Sequence, residues 1–216
     1  FLWAGRPPLR SFANRNFSER TGSMQKKVNV RWLAVTAILG AVAAVLMMLS
    51  ISVPIIPSFV KLDFSELPAL IAAFAMGPVS GVGVCLIKNL VNLPTSYSAG
   101  IGELCNFLLG VCFVIPAGWI YKVRRTRSGA LLASGVGAVA MAVLSVPVNY
   151  FISYPFYTSF MPLDTIIGMY QELLPSVDGL LACLLIFNMP FTLLKGILDV
   201  ALAFLIYKPL SPLLHK

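Results

Sequence analysis

Asn188, Thr192, Lys195 and Asp199 stand at offsets of 0, 4, 7 and 11 in the stretch FNMPFTLLKGILDV, residues 187–200. At roughly 100° per residue they fall within about 60° of one another, on one face of a helix. The stripe supplies an amide, a hydroxyl, an ammonium and a carboxylate inside an otherwise apolar run. Such a set can grip the polar edge of a ligand, or pass protons between an acid and a base. A lysine inside a membrane span costs on the order of 2.5–3.5 kcal/mol even on the lenient insertion scale, so Lys195 needs a reason. One is an ion pair with Asp199, a turn later. The other is a place in a cavity facing outward, with Asp199 holding the ammonium until a ligand arrives.

Other polar groups sit at comparable depth. Glu103 opens the run GIGELCNF, where a carboxylate in the first turn of a helix is favourable on its own account; it is equally placed to share a site with Lys195. Asn106, one turn below, adds an amide. Asn149 closes the run SVPVNYF, either as a cap or as a ligand contact. Around them lie Tyr97, Phe107, Tyr150, Phe151, Tyr154, Phe156, Tyr157, Phe187 and Phe191. Donors and acceptors among rings suit a flat, heteroaromatic, hydrogen-bonding ligand, although rings at a membrane interface also serve as anchors.

The elements that must position these groups are membrane helices. Of 216 residues 58% are hydrophobic and only 11% charged, with a mean hydropathy of +0.88, whereas soluble domains carry about 25% charged residues. Apolar spans are expected at about 32–49, 66–76, 78–91, 101–121, 129–150 and 188–207, the second unusually short for the ~20 residues of a full crossing. Asn188 followed by Pro190 reads as the start of the last span, an asparagine cap with proline in the first turn. That start puts Thr192 and Lys195 roughly 6–11 Å below the outer surface. The expected architecture is an all-α integral membrane protein of six transmembrane helices.

The net charge of +8 reflects topology rather than a nucleic-acid footprint. Lys26, Lys27 and Arg31, then Lys122, Arg124, Arg125 and Arg127, then Lys208 and Lys216 all fall on one side of six crossings. By the positive-inside rule that side, with both termini, is cytoplasmic. The acids Asp63, Glu66, Asp164, Glu172 and Asp178 fall outside. Residues 1–23 read as a loose extension or as sequence foreign to the native chain, with Met24 a candidate start, and 24–216 as one six-helix membrane domain. Cys85, Cys105, Cys112 and Cys183 read as small buried hydrophobes, and His215 is the lone histidine, so neither a metal site nor a histidine-based catalytic group is expected. GPVSGVG reads as a tight turn and close helix packing; no phosphate loop is present. Small residues at Ala37, Gly40, Ala41 and Ala44 make a face on which another helix can approach closely, within this chain or from a partner.

Four pieces carry a resemblance: KLDFSELPALIAAFAMGPVSGVGVCLIKNL (61–90), GIGELCNFLLG (100–110), VPVNYF (146–151) and FNMPFTLLKGILDVALAFLIYKPLSPLL (187–214). They resemble the substrate-binding S subunits of energy-coupling factor (ECF) vitamin transporters, in the riboflavin-specific branch, from about Trp32 to the end. The resemblance implies six helices, with the vitamin taken from outside between the first extracellular loop and helices four to six. It implies that Glu103, Asn149, Thr192 and Lys195 hold the flavin, Thr192 standing where the family pattern leads one to expect asparagine. With Asn188 and Asp63 these form the expected ligand-binding set. It further implies that Ala37 and Ala41 dock on a transmembrane coupling subunit and that two ATP-binding subunits supply the energy. Riboflavin is then cargo rather than cofactor, and the location is a bacterial-type cell membrane crossed several times. Flavin mononucleotide or another vitamin is the alternative ligand. The rival class is a membrane enzyme with Glu103 and Lys195 as acid and base; it lacks a companion nucleophile or metal cluster.

Overall fold

The computed structural model describes residues 30–52, 61–96 and 98–214, with side chains as far as 206. The expected extension 1–23 with Met24, the basic residues Lys26 and Lys27, Tyr97 and the tail residues His215 and Lys216 lie outside the described residues, as does the side chain of Lys208. Helix dominates. It runs as α1 (Val30–Met48), α2 (Glu66–Met76), α3 (Pro78–Asn92), α4 (Ile101–Val123), α5 (Arg127–Val148), α6 (Tyr154–Tyr157), α7 (Leu163–Gln171), α8 (Leu180–Cys183) and α9 (Met189–Leu214). A two-residue antiparallel pairing, Ile51 opposite Leu62 and Ser52 opposite Lys61, brackets the first loop.

Among the described residues, four helical stretches are long and apolar enough to cross a membrane: Val30–Met48, Ile101–Val123, Arg127–Tyr157 and Leu180–Ile206. The α2 and α3 helices, 11 and 15 residues long, each fall short of the ~20 needed. They are joined at Gly77, whose φ of 99° is open to glycine and strained for other residues, and Pro78 then opens α3 where its missing N–H does no harm. The α2 helix is the interior element: it packs on α1, α3, α4 and α9, and Leu67 through Ala73 are all buried. Small residues allow these approaches, as association in lipid requires. A Cβ on Gly40 of α1 would lie 2.7 Å from Ile87 of α3.

Two long stretches depart from the sequence expectation in the same way. The fifth span does not close at Asn149; it continues through a π-helical turn, Asn149–Ser153, into α6. The last span does not begin at Asn188; α8 continues through a second π turn, Leu184–Asn188, into α9. Each π turn ends two residues before a proline, Pro155 and Pro190. A proline ring crowds the carbonyl four residues back and offers it no N–H, and a locally widened turn accommodates both problems without ending the helix. Asn188 is thus a mid-helix residue rather than a cap. Lys195 lies roughly 22 Å along from Leu180 at 1.5 Å per residue, far deeper than a start at Asn188 implied.

Candidate functional site

The π turns aim polar side chains inward. A recess of about 170 Å³ is lined by Asn149 and Ser153 from the first turn, Asn188 from the second, and Phe191, Thr192 and Lys195 from α9. Tyr154 and Tyr157 of α6, Gly102, Cys105, Asn106 and Leu109 of α4, Met141 of α5, Glu66 of α2 and Lys61 of the first loop complete the wall. Of the expected ligand-binding set, Asn149, Asn188, Thr192 and Lys195 therefore meet at one cavity. Glu103 and Asp63 are not on its wall. The Glu103 carboxylate instead accepts a hydrogen bond from the Ser96 hydroxyl at 2.5 Å, tying the start of α4 to the loop before it.

Hydrogen-bond capacity in the recess is partly committed. Thr192 Oγ1 donates to the backbone carbonyl of Asn188 at 2.8 Å, so toward a ligand the hydroxyl can only accept. Asn106 Oδ1 is buried and has no hydrogen-bond partner among the described residues; an acceptor left so on a cavity wall is suited to an incoming N–H or O–H, since burial without a bond is unfavourable. Asn188 is fixed on both sides. Its Oδ1 accepts from the Tyr170 hydroxyl at 2.8 Å and its Nδ2 donates to the Tyr154 hydroxyl at 3.3 Å. Burial pushes the Tyr170 phenol well above its ordinary range, with Tyr154 beside it acting the same way, so Tyr170 is a neutral O–H donor.

Lys195 is not paired with Asp199. Its Nζ donates to Asp63 Oδ2 at 2.9 Å, across a separation of 132 residues. The pairing ties the first loop to α9. Asp63 Oδ1 also accepts from the Ser65 backbone N–H at 2.9 Å and from the Ser65 hydroxyl. Burial alone would raise the Asp63 carboxyl, but the Lys195 and Lys88 ammoniums, with the hydrogen bonds from Lys195 and Ser65, outweigh it and hold the group at about 2.

A second buried pair went unread in the sequence. Lys88 of α3 donates to Glu66 Oε1 and to the Ser65 hydroxyl, each at 2.6 Å, and both Lys88 and Glu66 are almost fully buried. The signal was present, a lysine in the apolar run VCLIKNL, and the same insertion argument applied to Lys195 would have found it. Glu66, one of the acids expected toward the outer side, is buried. Asp199 is buried, and neither carboxylate oxygen has a hydrogen-bond partner among the described residues. The face of α1 divides in two. Gly40 and Ala44 are buried, whereas Ala37 and Ala41 are exposed.

Comparison with known proteins bears on this site. The substrate-specific component of ECF transporters matches residues 31–207. A riboflavin transporter, RibU, of Staphylococcus aureus (strain TCH60) is 31% identical, covering 89% of this chain and 98% of that protein. A riboflavin transporter, FmnP, of Bacillus subtilis (strain 168) is 30% identical over 88% of this chain and 96% of that protein, and RibU of Streptococcus thermophilus is 34% identical over 87% and 86%. A solved structure of the S component of a bacterial ECF transporter superposes with a TM-score of 0.70 at 29% identity, covering 88% of this chain and all of that one. A membrane-embedded helical chain with an amide-rich recess thus belongs to the family of ECF transporter substrate-specific components.

Proposed function

We propose that this chain is the riboflavin-binding subunit of an ATP-driven ECF uptake transporter, which captures the vitamin from outside and delivers it through a separate coupling module. The observation that carries the reading is the meeting of Asn106, Asn149, Asn188, Thr192 and Lys195 with Phe191, Tyr154 and Tyr157 on one recess. Amides and an ammonium read the polar edge of an isoalloxazine while the rings contact its faces. The names of the similar proteins point the same way. The recess is smaller than the ~300 Å³ at which small-molecule pockets begin, so a three-ring ligand must widen it. The Lys195–Asp63 contact to the first loop is the joint that such widening strains.

The charge distribution supports six crossings with both termini cytoplasmic in the plasma membrane, α2 and α3 counting as short crossings, and residues 24–216 as the membrane domain. Ala37 and Ala41, small and exposed on α1, form the docking face for the transmembrane coupling subunit, and two ATP-binding subunits complete the transporter. No covalent chemistry is assigned to the chain. A second reading, flavin mononucleotide as ligand, is favoured by Lys61, which adds a second cation to the recess wall.

The test is purification and the colour of the protein. Bound flavin gives a yellow preparation with flavin absorbance, and mass spectrometry of the extract separates riboflavin from its phosphate. Lys195→Ala removes a charged hydrogen-bond donor worth about 2 kcal/mol, or ~30-fold in affinity, with membrane insertion intact; unchanged flavin retention would refute the pocket assignment. Ala37→Leu leaves flavin affinity unchanged and blocks uptake in cells, and normal uptake would refute the docking face.

A further inference from the structure

Tyr170 lies on α7, outside the long apolar stretches, and does not line the recess. It is nevertheless fully buried, at 0% exposure. Its ring packs 5.2 Å from that of Phe187, and the end of α7 is anchored by Gln171 Nε2 donating to the Val177 carbonyl at 3.0 Å. Its hydroxyl touches two recess residues, Tyr154 at 2.5 Å and Asn188 at 2.8 Å.

The donors can be counted. A phenol has one hydrogen, and that of Tyr170 goes to Asn188 Oδ1. Between the two hydroxyls the donor must then be Tyr154. Asn188 Nδ2 closes the circuit by donating to the Tyr154 oxygen. Three groups form a ring in which each donates once and accepts once. The second amide hydrogen of Asn188 has no partner among the described residues. The circuit can also run the other way, with the amide turned over so that Tyr154 donates to Oδ1 and Nδ2 donates to Tyr170. The two senses present different edges of Asn188 to the recess.

Resting on the flavin-binding reading above, we infer that Tyr170 is a positioning residue for ligand recognition: from outside the recess it fixes the Asn188 amide and the Tyr154 hydroxyl, and so sets which hydrogen bonds the wall offers the flavin edge. Both groups it holds adjoin the π turns, Tyr154 following the first and Asn188 ending the second. One phenol thereby ties together the two widened turns that bring Asn149, Ser153 and Asn188 to the polar wall. Without the hydroxyl, Asn188 Oδ1 loses its donor and Tyr154 is released to supply it, which turns the amide.

The experiment is a double-mutant cycle on riboflavin binding to the full chain in detergent, with thermal midpoints recorded alongside. Tyr170→Phe keeps the ring on Phe187 and removes one oxygen. The expected result is a ~10-fold loss of affinity in the native background and less than a twofold change when Asn188→Ala is already present. A purely structural role for Tyr170 gives equal losses in both backgrounds; that result, or no loss in either, overturns the inference. Should the phenylalanine variant not be recovered folded, Asn188→Asp asks the same question, because a carboxylate accepts from both tyrosines but presents no N–H. Weakened binding there supports the inference and wild-type affinity overturns it. A wild-type chain that binds no riboflavin overturns the functional reading and this inference together, whereas firm wild-type binding with an indifferent Tyr170→Phe overturns this inference alone.

Discussion

At Asn188, Tyr154 and Tyr170 three neutral groups close a ring, and each has a partner for what it donates. About two turns further along the same helix, Lys195, Asp63, Ser65, Lys88 and Glu66 form an open chain of charged contacts, with the unpartnered carboxylate of Asp199 buried on the same stripe of α9. A closed neutral ring costs little to bury, because no net charge leaves water and every member both donates and accepts within it. The charged chain is costly to bury, and its parts depend on one another. The ring is suited to holding one geometry for a ligand to read. The chain, running from α9 through the first loop to α3 and α2, is suited to tying those elements together.

The sharpest way to break that contrast is to remove one charge from the deepest pair. Lys88→Met leaves Glu66 buried without its cation, which costs about 3–5 kcal/mol and lowers the thermal midpoint in detergent by on the order of 10 °C. Adding Glu66→Leu should recover most of the loss, since a buried pair replaced by packed apolar groups is often neutral. If the single variant melts like wild type, the Lys88–Glu66 pair does not hold α3 to α2. No comparable fall is expected from Tyr170→Phe, which removes one neutral hydrogen bond worth about 1 kcal/mol.

The contrast also explains what could be read from the sequence. Lys195, Asn149, Asn188 and Thr192 were legible because hydrocarbon makes any polar side chain in a span conspicuous, and their helical spacing gave a common face. Lys88 obeys the same rule inside the apolar span expected at 78–91. Asp63 could not be matched to Lys195 by any spacing rule, because the two are joined through tertiary folding across the chain. The i to i+4 relation pointed to Asp199 instead, and geometry did not follow it. The π turns were illegible for a different reason. Asn-x-Pro is a good start signal for a helix, and only the buried partners of Asn188, one of them on an outer helix of no obvious importance, show that the helix runs through it.

Asp199 offers a smaller test. Its carboxylate sits 0% exposed with no hydrogen bond among the described residues, so Asp199→Asn, nearly equal in volume, removes a buried ionisable group that holds no hydrogen bond. The expected change in thermal midpoint is an increase equivalent to less than about 1 kcal/mol, with flavin affinity within twofold. A large loss of stability would show that Asp199 supports the Lys195 ammonium through space, and the open chain would then be a closed charge cluster.

The smallest effect expected is a flat one, and it isolates the joint between the first loop and α9. Asp63, held at about 2 against an ordinary 3.8, is a carboxyl whose acidity is increased in the folded state. Its contribution to stability is therefore fully present above pH 3.8 and disappears as the pH falls from there through 2. The groups facing it are Lys195 on α9 and Lys88 on α3, with Glu66 and Asp199 close enough to act on Lys195; because Asp63 and Asp199 face the same ammonium, wild type and Asp63→Asn are compared with Asp199→Asn present in both, so that only Asp63 differs. The difference in thermal midpoint between those two proteins should thus stay constant from pH 8 to pH 5 and shrink only below about pH 4. A difference that fades between pH 7 and 5 would mean that Lys195 does not hold Asp63 ionised, and the ammonium would be free to serve the recess without first leaving the loop.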